Sequence, residues 1–262
     1  MEKVKNILLW TILAVYLIVI LGFVAENRKT VICNKVDIYI PDENTNKFLQ
    51  QKDVQKVLTK YKLKLIGMPI DSVNTYIAKE LINKNPAVKS SAVYTTIDGR
   101  LCINVEQRKP ILRVINKSYQ NYFIDENGQI IPLINQYASL TLVANGNISE
   151  PFDVSVSRNI LPSRKDTILM PNIIYDLYFM AKYISQNDFW NSQIEQIYVD
   201  SHGEMQLIPR VGSHIILFGK ADNLALKFQK LKSMYRAFNE IGWNQYKTIN
   251  LKYNNQVICT KR

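Results

Sequence analysis

The sequence predicts an α+β chain in three parts: one apolar N-terminal helix, a small strand-helix-helix-strand-strand unit, and a larger unit of short strands interrupted by helices. Three observations carry this. Ile7 to Ala25 runs without a single charge. Between Val36 and Val105 the apolar period changes from two to steps of three and four, and then back to two. From Ile111 onward, short apolar runs alternate with turn residues such as Asp125 to Gly128 and Asn145-Gly146.

The first part is expected to be a transmembrane helix with ends at Ile7 and Ala25. At ~1.5 Å per residue this stretch reaches about 28 Å, close to the ~30 Å hydrocarbon core of a bilayer. A helix satisfies its own backbone polar groups, as a segment in lipid must. Trp10 sits near one end, where an interfacial ring belongs. A cleaved signal peptide would need a shorter apolar run and small residues before the cut, but Phe23 stands in that place. Positive charge is nearly balanced, with Lys3 and Lys5 before the span and Arg28, Lys29 and Lys35 after it. Long domains translocate largely regardless of charge. Residues 1–6 are therefore expected in the cytoplasm, 26–33 as a linker, and the remainder outside the cytoplasm.

The chain has 262 residues and a formal charge of +11. A basic surface attracts anionic lipid, nucleic acid or acidic polymers without choosing among them. Lys and Arg are scattered, no five-residue basic run occurs, and no aromatic-basic signature of nucleic-acid binding is present. A basic surface beside an anionic membrane is the simpler reading. The three cysteines, Cys33, Cys102 and Cys259, form no C-x-x-C pair, which excludes zinc-ribbon and thioredoxin-like sites. They read as small apolar residues in strands, although an extracytoplasmic setting would permit one disulfide.

In the second part, Val36, Ile38 and Ile40 alternate with polar neighbours as a strand. Val54, Val57, Leu58 and Tyr61 have helical spacing. After Gly67 and Pro69, Asp71 or Ser72 is expected to cap a second helix with the stripe Val73, Ile77 and Leu81, ended by Asn85-Pro86. Val88 to Ile97 and Leu101 to Val105 read as a hairpin about Asp98-Gly99, a type I′ signal.

In the third part, strands are expected over Ile111–Ile115, Tyr122–Ile124, Ile130–Leu133 and Leu140–Ala144. Ser149 to Thr167 shows no clear pattern. Pro171 suits a first helical position, and Ile173, Leu177, Met180 and Ile184 follow at helical steps. Three more strands are expected over Ile194–Val199, Glu204–Pro209 and His214–Leu217. Leu224, Phe228, Leu231, Tyr235 and Phe238 then mark the longest amphipathic helix, with Lys227, Lys230, Lys232 and Arg236 mostly on its other face, and Gly242 ending it. Thr248–Tyr253, an Asn254-Asn255 turn and Gln256–Thr260 close the chain as a hairpin.

No catalytic motif emerges. G-x-S-x-G, H-E-x-x-H, the phosphate-binding loop and the dinucleotide fingerprint are all absent. His202 lies in an expected turn and His214 before a strand. Glu150, Glu195 and Glu204 are isolated. Asn116-Lys117-Ser118 and Asn147-Ile148-Ser149 match the N-glycosylation pattern, which has meaning only in a eukaryotic secretory chain. Neither a catalytic residue, nor a metal ligand, nor a cofactor site is expected.

Four segments carry a resemblance: VEQRKPIL from Val105 to Leu112, NYFIDENGQIIPL from Asn121 to Leu133, GEMQLIPRVGSHIILFGK from Gly203 to Lys220, and INLKYNNQVICTK from Ile249 to Lys261. In this order, behind an anchor, they resemble the bacterial cell-division family FtsQ/DivIB over nearly the full length. Asn250 stands where the family often has Asp, Lys252 where it has Arg, and Asn254-Asn255 in place of a glycine-containing turn. The resemblance implies a POTRA domain over 34–109 and a β-domain over 110–262, the latter with a mostly antiparallel sheet and packed helices. It implies a non-enzymatic, single-pass scaffold of the inner membrane at the division septum, with its C-terminal domain in the periplasm. Implied partners are the coiled-coil proteins FtsB and FtsL, with FtsK, FtsI, FtsW and FtsN as further contacts. Partner binding in the family uses the last strands by β-augmentation, which by motif points here to Lys252, Tyr253, Asn254, Gln256, Val257 and Ile258. The alternatives are a POTRA-bearing assembly or transport factor, which generally also carries a membrane β-barrel, and an anchored hydrolase with a dispersed triad.

Overall fold

The computed structural model describes residues 2–44, 48–61, 65–133, 141–150, 159–161 and 172–262, with the side chains of 2–5 and 23–30 outside the description. The chain divides into two compact units, Met1–Gln107 and Arg108–Arg262.

The first unit begins with α1 (Glu2–Thr30). Its described side chains, 6–22, are exposed on every side although nearly all are apolar. Among the described residues no helix is long and apolar enough to cross a membrane, so the structure does not itself establish the span expected over Ile7–Ala25.

Next come β1 (Lys35–Tyr39), α2 (Gln51–Lys60), a 3-10 turn (Ile70–Ser72), α3 (Thr75–Asn83), β2 (Val88–Thr95) and β3 (Arg100–Gln107). The sheet order is β1-β3-β2. β1 runs parallel to β3 in the register Val36↔Leu101 and Ile38↔Ile103, and β2 runs antiparallel to it with Val93↔Ile103. Period-two alternation puts Leu101, Ile103 and Val105 on one buried face. Val54 and Leu58 of α2 and Ala78 and Ile82 of α3 are buried with them. Gln107 is buried too. Its amide donates to the Asp42 carboxylate (2.8 Å) and accepts from Leu49 N–H (2.9 Å), which ties the end of β3 to these two residues.

Two expectations fail here. The cap of α3 is Asn74, whose side chain accepts from Ile77 N–H at 3.0 Å, rather than Asp71 or Ser72. Those two residues belong to the 3-10 turn, and Val73 is extended (ψ 111°), so the helix starts afresh after it. The buried stripe consequently moves to Ala78 and Ile82, leaving Ile77 exposed and Leu81 half-buried. The hairpin turn is also not type I′. Only Gly99 takes positive φ (+81°), and Thr96 bonds both Gly99 and Arg100, which makes a type I turn followed by a left-handed glycine.

The second unit contains β4 (Pro110–Ile115), β5 (Asn121–Asp125), β6 (Ile130–Pro132), β7 (Leu142–Gly146), α4 (Ile173–Ser185), α5 (Asp188–Gln193), β8 (Ile194–Val199), β9 (Met205–Pro209), β10 (Ile215–Gly219), α6 (Leu224–Ile241), β11 (Tyr246–Asn250) and β12 (Ile258–Lys261). The strands form one mixed sheet in the order β12-β11-β10-β9-β8-β7-β4-β5-β6. Pairing is antiparallel except for β4 with β7, β7 with β8 and β10 with β11. The helices share one core over the sheet. Phe228 of α6 stacks on Tyr183 of α4 at 4.8 Å and lies 5.0 Å from Trp190 of α5 and 5.2 Å from Phe218 of β10. α5 has no counterpart in the sequence reading. Asn187 caps it by accepting from Trp190 N–H. Pro171, expected to open α4, lies outside the described residues, and Asn172 caps that helix through Ile174 N–H.

Candidate partner-binding edge

The last strands are placed by a crossover. β10 and β11 are parallel neighbours, so the chain between them must pass over a face of the sheet, and α6 makes that passage. Its stripe of Phe228, Leu231, Tyr235 and Phe238 is buried as its period requires. Lys227 departs from the expected polar face and is buried. Its ammonium donates to the Lys220 carbonyl (3.0 Å) and the Asp222 carboxylate (2.6 Å), and it lies 5.0 Å from the Phe218 ring centroid. Asn223, left-handed at φ +47°, turns the chain into the helix here. The hydrogen bond from Lys227 holds the Asp222 carboxyl below the usual range.

β11 ends at Asn250, earlier than the sequence suggests, and residues 251–257 form a loop rather than a two-residue turn. Leu251 is buried, and its N–H, donated to the Leu217 carbonyl of β10 (2.9 Å), is the last bond of the parallel ladder. The Asn250 side chain accepts from Lys252 N–H (3.0 Å), which turns the chain out of the ladder.

Of the six residues singled out by the resemblance, Lys252, Tyr253, Asn254 and Gln256 are thus exposed loop residues. Val257 is half-buried and packs on the core, and Ile258 opens β12 with its side chain exposed. Tyr253 is 48% exposed. The loop is fixed from two sides. Lys230 of α6 donates to the carbonyl of Tyr253 (2.8 Å) and also to that of Asn254. Lys252 pairs with Glu204 at the start of β9. Its stem lies against Gly219, where an added Cβ would sit 3.2 Å from Lys252 Cγ and the φ of +79° already disfavours a side chain.

The neighbouring turn between β8 and β9 is also rigid. Asp200 Oδ1 accepts from the N–H groups of His202 (2.8 Å) and Glu204 (2.9 Å). Burial would raise the Asp200 carboxyl, but those two amides, aided by the charges of His202 and Lys252, outweigh it and leave it below the usual range.

β12 pairs only with β11, with Ile249↔Cys259 and Asn250↔Ile258, and it is the last strand of the sheet. Among the described residues nothing pairs its outer row of backbone groups. Cys259 turns partly toward the core, where burial raises its thiol, while Ile258, Thr260 and Lys261 are exposed. All three cysteines are free. The site is therefore a strand edge with a tethered aromatic loop beside it, an arrangement that can accept a strand from another chain. The sequence places Lys230 on a polar helix face and Glu204 as an isolated acid; a helical period does not reveal the carbonyl that a lysine reaches, and Glu204 is in fact paired with Lys252 across 48 residues of chain.

The two histidines have structural surroundings. His214 is buried, with Nε2 3.1 Å from Tyr235 Oη and its ring set against Tyr235 and Phe238. Burial pushes it below the ordinary histidine value, Arg262 adds to this, and the Trp243 carbonyl partly opposes it. His202 is an exposed turn residue, with Nδ1 3.4 Å from Ser201 Oγ.

Residues 31–106 match the POTRA-like domain. Residues 109–260, more than half of the chain, match the family described as FtsQ/DivIB, C-terminal related. Among curated proteins none matches the chain closely enough to count as a relative. With a POTRA-like unit first and a mixed sheet ending in the β11–β12 pair second, the chain belongs to the FtsQ/DivIB family of cell-division proteins.

Proposed function

We propose that this protein is a membrane-anchored, non-enzymatic scaffold of the bacterial division machinery that captures FtsB/FtsL-type coiled-coil partners on the β12 edge. The observation that carries this reading is the unpaired outer row of β12 beside an exposed and tethered Tyr253. Main-chain hydrogen bonds from an added strand would supply affinity, and the side chains around Lys252, Tyr253, Asn254, Gln256, Val257 and Ile258 would supply selectivity. Anchoring is assigned to Ile7–Ala25, with 1–6 in the cytoplasm, 26–33 as linker, a POTRA domain over 34–109 and a β-domain over 110–262 in the periplasm at the septum. In support, the described side chains of α1 are exposed and apolar all around, leaving no polar face to solvate.

The test is Tyr253→Ala. An aromatic anchor at an interface typically costs ~2 kcal/mol or more on truncation, roughly 30-fold in affinity. The variant should melt like wild type, bind an FtsB-type partner weakly, and leave dependent cells filamentous. Normal melting with undiminished binding would move the interface elsewhere.

A further inference from the structure

Three loops of the first unit converge at the point where the chain leaves α1. Cys33 N–H donates to the Met68 carbonyl (2.7 Å), and Gly67 N–H to the Cys33 carbonyl (2.8 Å). Asn34 N–H donates to the Gly99 carbonyl (2.8 Å), and its side chain to the Asp98 carbonyl (3.0 Å). Ile32 forms an isolated bridge with Pro69. The packing is tight enough that a Cβ on Gly99 would come within 2.4 Å of the Ile32 carbonyl. On this bonded framework four large apolar side chains point outward: Ile32 is 55% exposed, Ile66 65%, Met68 37% and Ile97 84%. They come from three separate segments, and the fold gathers them at one end of the unit.

The distance to the bilayer is short. If the hydrocarbon core ends at Ala25, the five helical residues from Glu26 to Thr30 rise about 7.5 Å, roughly the depth of one headgroup layer. Ile32 follows two residues later, at most ~7 Å further along the chain. A chain that turns back toward the bilayer after Thr30, or an α1 inclined to the membrane normal, brings these side chains down from that height into the lipid interface, the nearest apolar surface to cover them. The chain offers no slack to lift them away, because residues 31–34 are hydrogen-bonded to the other two loops.

We propose that loops 31–34, 66–69 and 97–99 form a foot that rests the first unit on the membrane, with Ile32, Ile66, Met68 and Ile97 seated in the lipid interface. The inference rests on α1 being the anchor. The foot would fix the orientation of the unit against the membrane instead of leaving it to swing on its tether.

The experiment uses the full chain in vesicles of phosphatidylethanolamine and phosphatidylglycerol, with a photoreactive benzophenone side chain placed in turn at Leu17, Ile97 and Lys84. Lys84 is exposed and lies just before the other end of β2, about 25 Å from the hairpin tip at ~3.4 Å per residue. Lipid adducts are expected at Leu17 and Ile97 and not at Lys84. Combining Ile32→Ser with Ile66→Ser should reduce the Ile97 adduct several-fold and leave that at Leu17 unchanged. An adduct at Leu17 with none at Ile97 overturns the foot and leaves the anchor standing. Loss of the adduct at Leu17 removes the anchor and the foot with it. In native membranes, an adduct from Ile97 to a protein instead of lipid would make this surface a protein interface and also overturn the proposal.

Discussion

Lys230→Met separates a preorganised loop from a bare strand edge. Lys230 is half-buried on α6, and its ammonium donates to the carbonyls of Tyr253 and Asn254. Methionine keeps an apolar stem on the helix and removes only the donors. Buried charge-assisted hydrogen bonds contribute about 1.5–3 kcal/mol each, but these lie at the surface, so roughly 0.5 kcal/mol each is the appropriate discount. Together they hold the loop by about 1 kcal/mol. If the partner needs the loop in this conformation, its affinity falls about 5-fold, since 1.4 kcal/mol is tenfold. Calorimetric titration with an FtsB-type peptide reads the affinity, and hydrogen exchange of 252–256 reads the loop. Exchange should accelerate there while the midpoint of thermal unfolding stays put. Faster exchange with unchanged affinity would refute preorganisation and leave the β12 edge alone as the binding element. Unchanged exchange would show that Lys230 does not hold the loop.

Two further outcomes test the fold. Ile82→Asp places a carboxylate at a fully buried site between α3 and the sheet and should destabilise the first unit by about 4 kcal/mol or more, while Leu81→Asp, at a half-buried site, should cost only about 1 kcal/mol. Hydrogen exchange of β2 and β3 distinguishes them, and equal effects would void the assigned face of α3. The second outcome concerns pH. His214 is held below its ordinary value of 6.5 in the folded chain, so below pH 6.5 the unfolded state binds the extra proton first. Stability of the second unit should therefore be level above pH 6.5 and decline as pH falls from there towards the depressed folded value. His214→Phe should flatten that decline, measured by urea unfolding followed at Trp190 and Trp243; an unchanged slope would clear His214 of the effect.

The legible parts of the fold were those fixed by a strong local period. The alternation of Leu101, Ile103 and Val105 and the stripe from Phe228 to Phe238 are determined by what each face must bury, and both lie where the sequence places them. Element boundaries set by a single hydrogen bond were not legible. Asn74 takes the cap of α3 because Val73 is extended, and nothing in a pattern of apolar residues reveals that dihedral. α5 is six residues long, too short for a period to register. At the candidate edge, the motif falls on the β11–β12 pair and implies a tight hairpin, whereas residues 251–257 form a loop. The Asn250 side chain accepts from Lys252 N–H directly after the last ladder bond, from Leu251 to Leu217, and that single side-chain bond takes the chain out of the ladder before Tyr253.

The two ends of the large sheet manage their edges differently, and the difference bears on which is used. β6 is three residues long, ends in Pro132, which cannot donate to a ladder, and is flanked by a bridge from Gln129 to Asn159. Brevity and proline are common ways to discourage a neighbouring strand. β12 has no proline over Ile258–Lys261, and the register shift in its pairing with β11, at Tyr246/Thr248, falls only at its far end, opposite Thr260 and Lys261. Lysine can also guard an edge, and Lys252 is the only charge between Ile249 and Thr260. It is turned away into its pair with Glu204, so it does not repel an incoming strand. Lys261 guards only the far end. An edge left open in this way is a site of self-association unless something covers it.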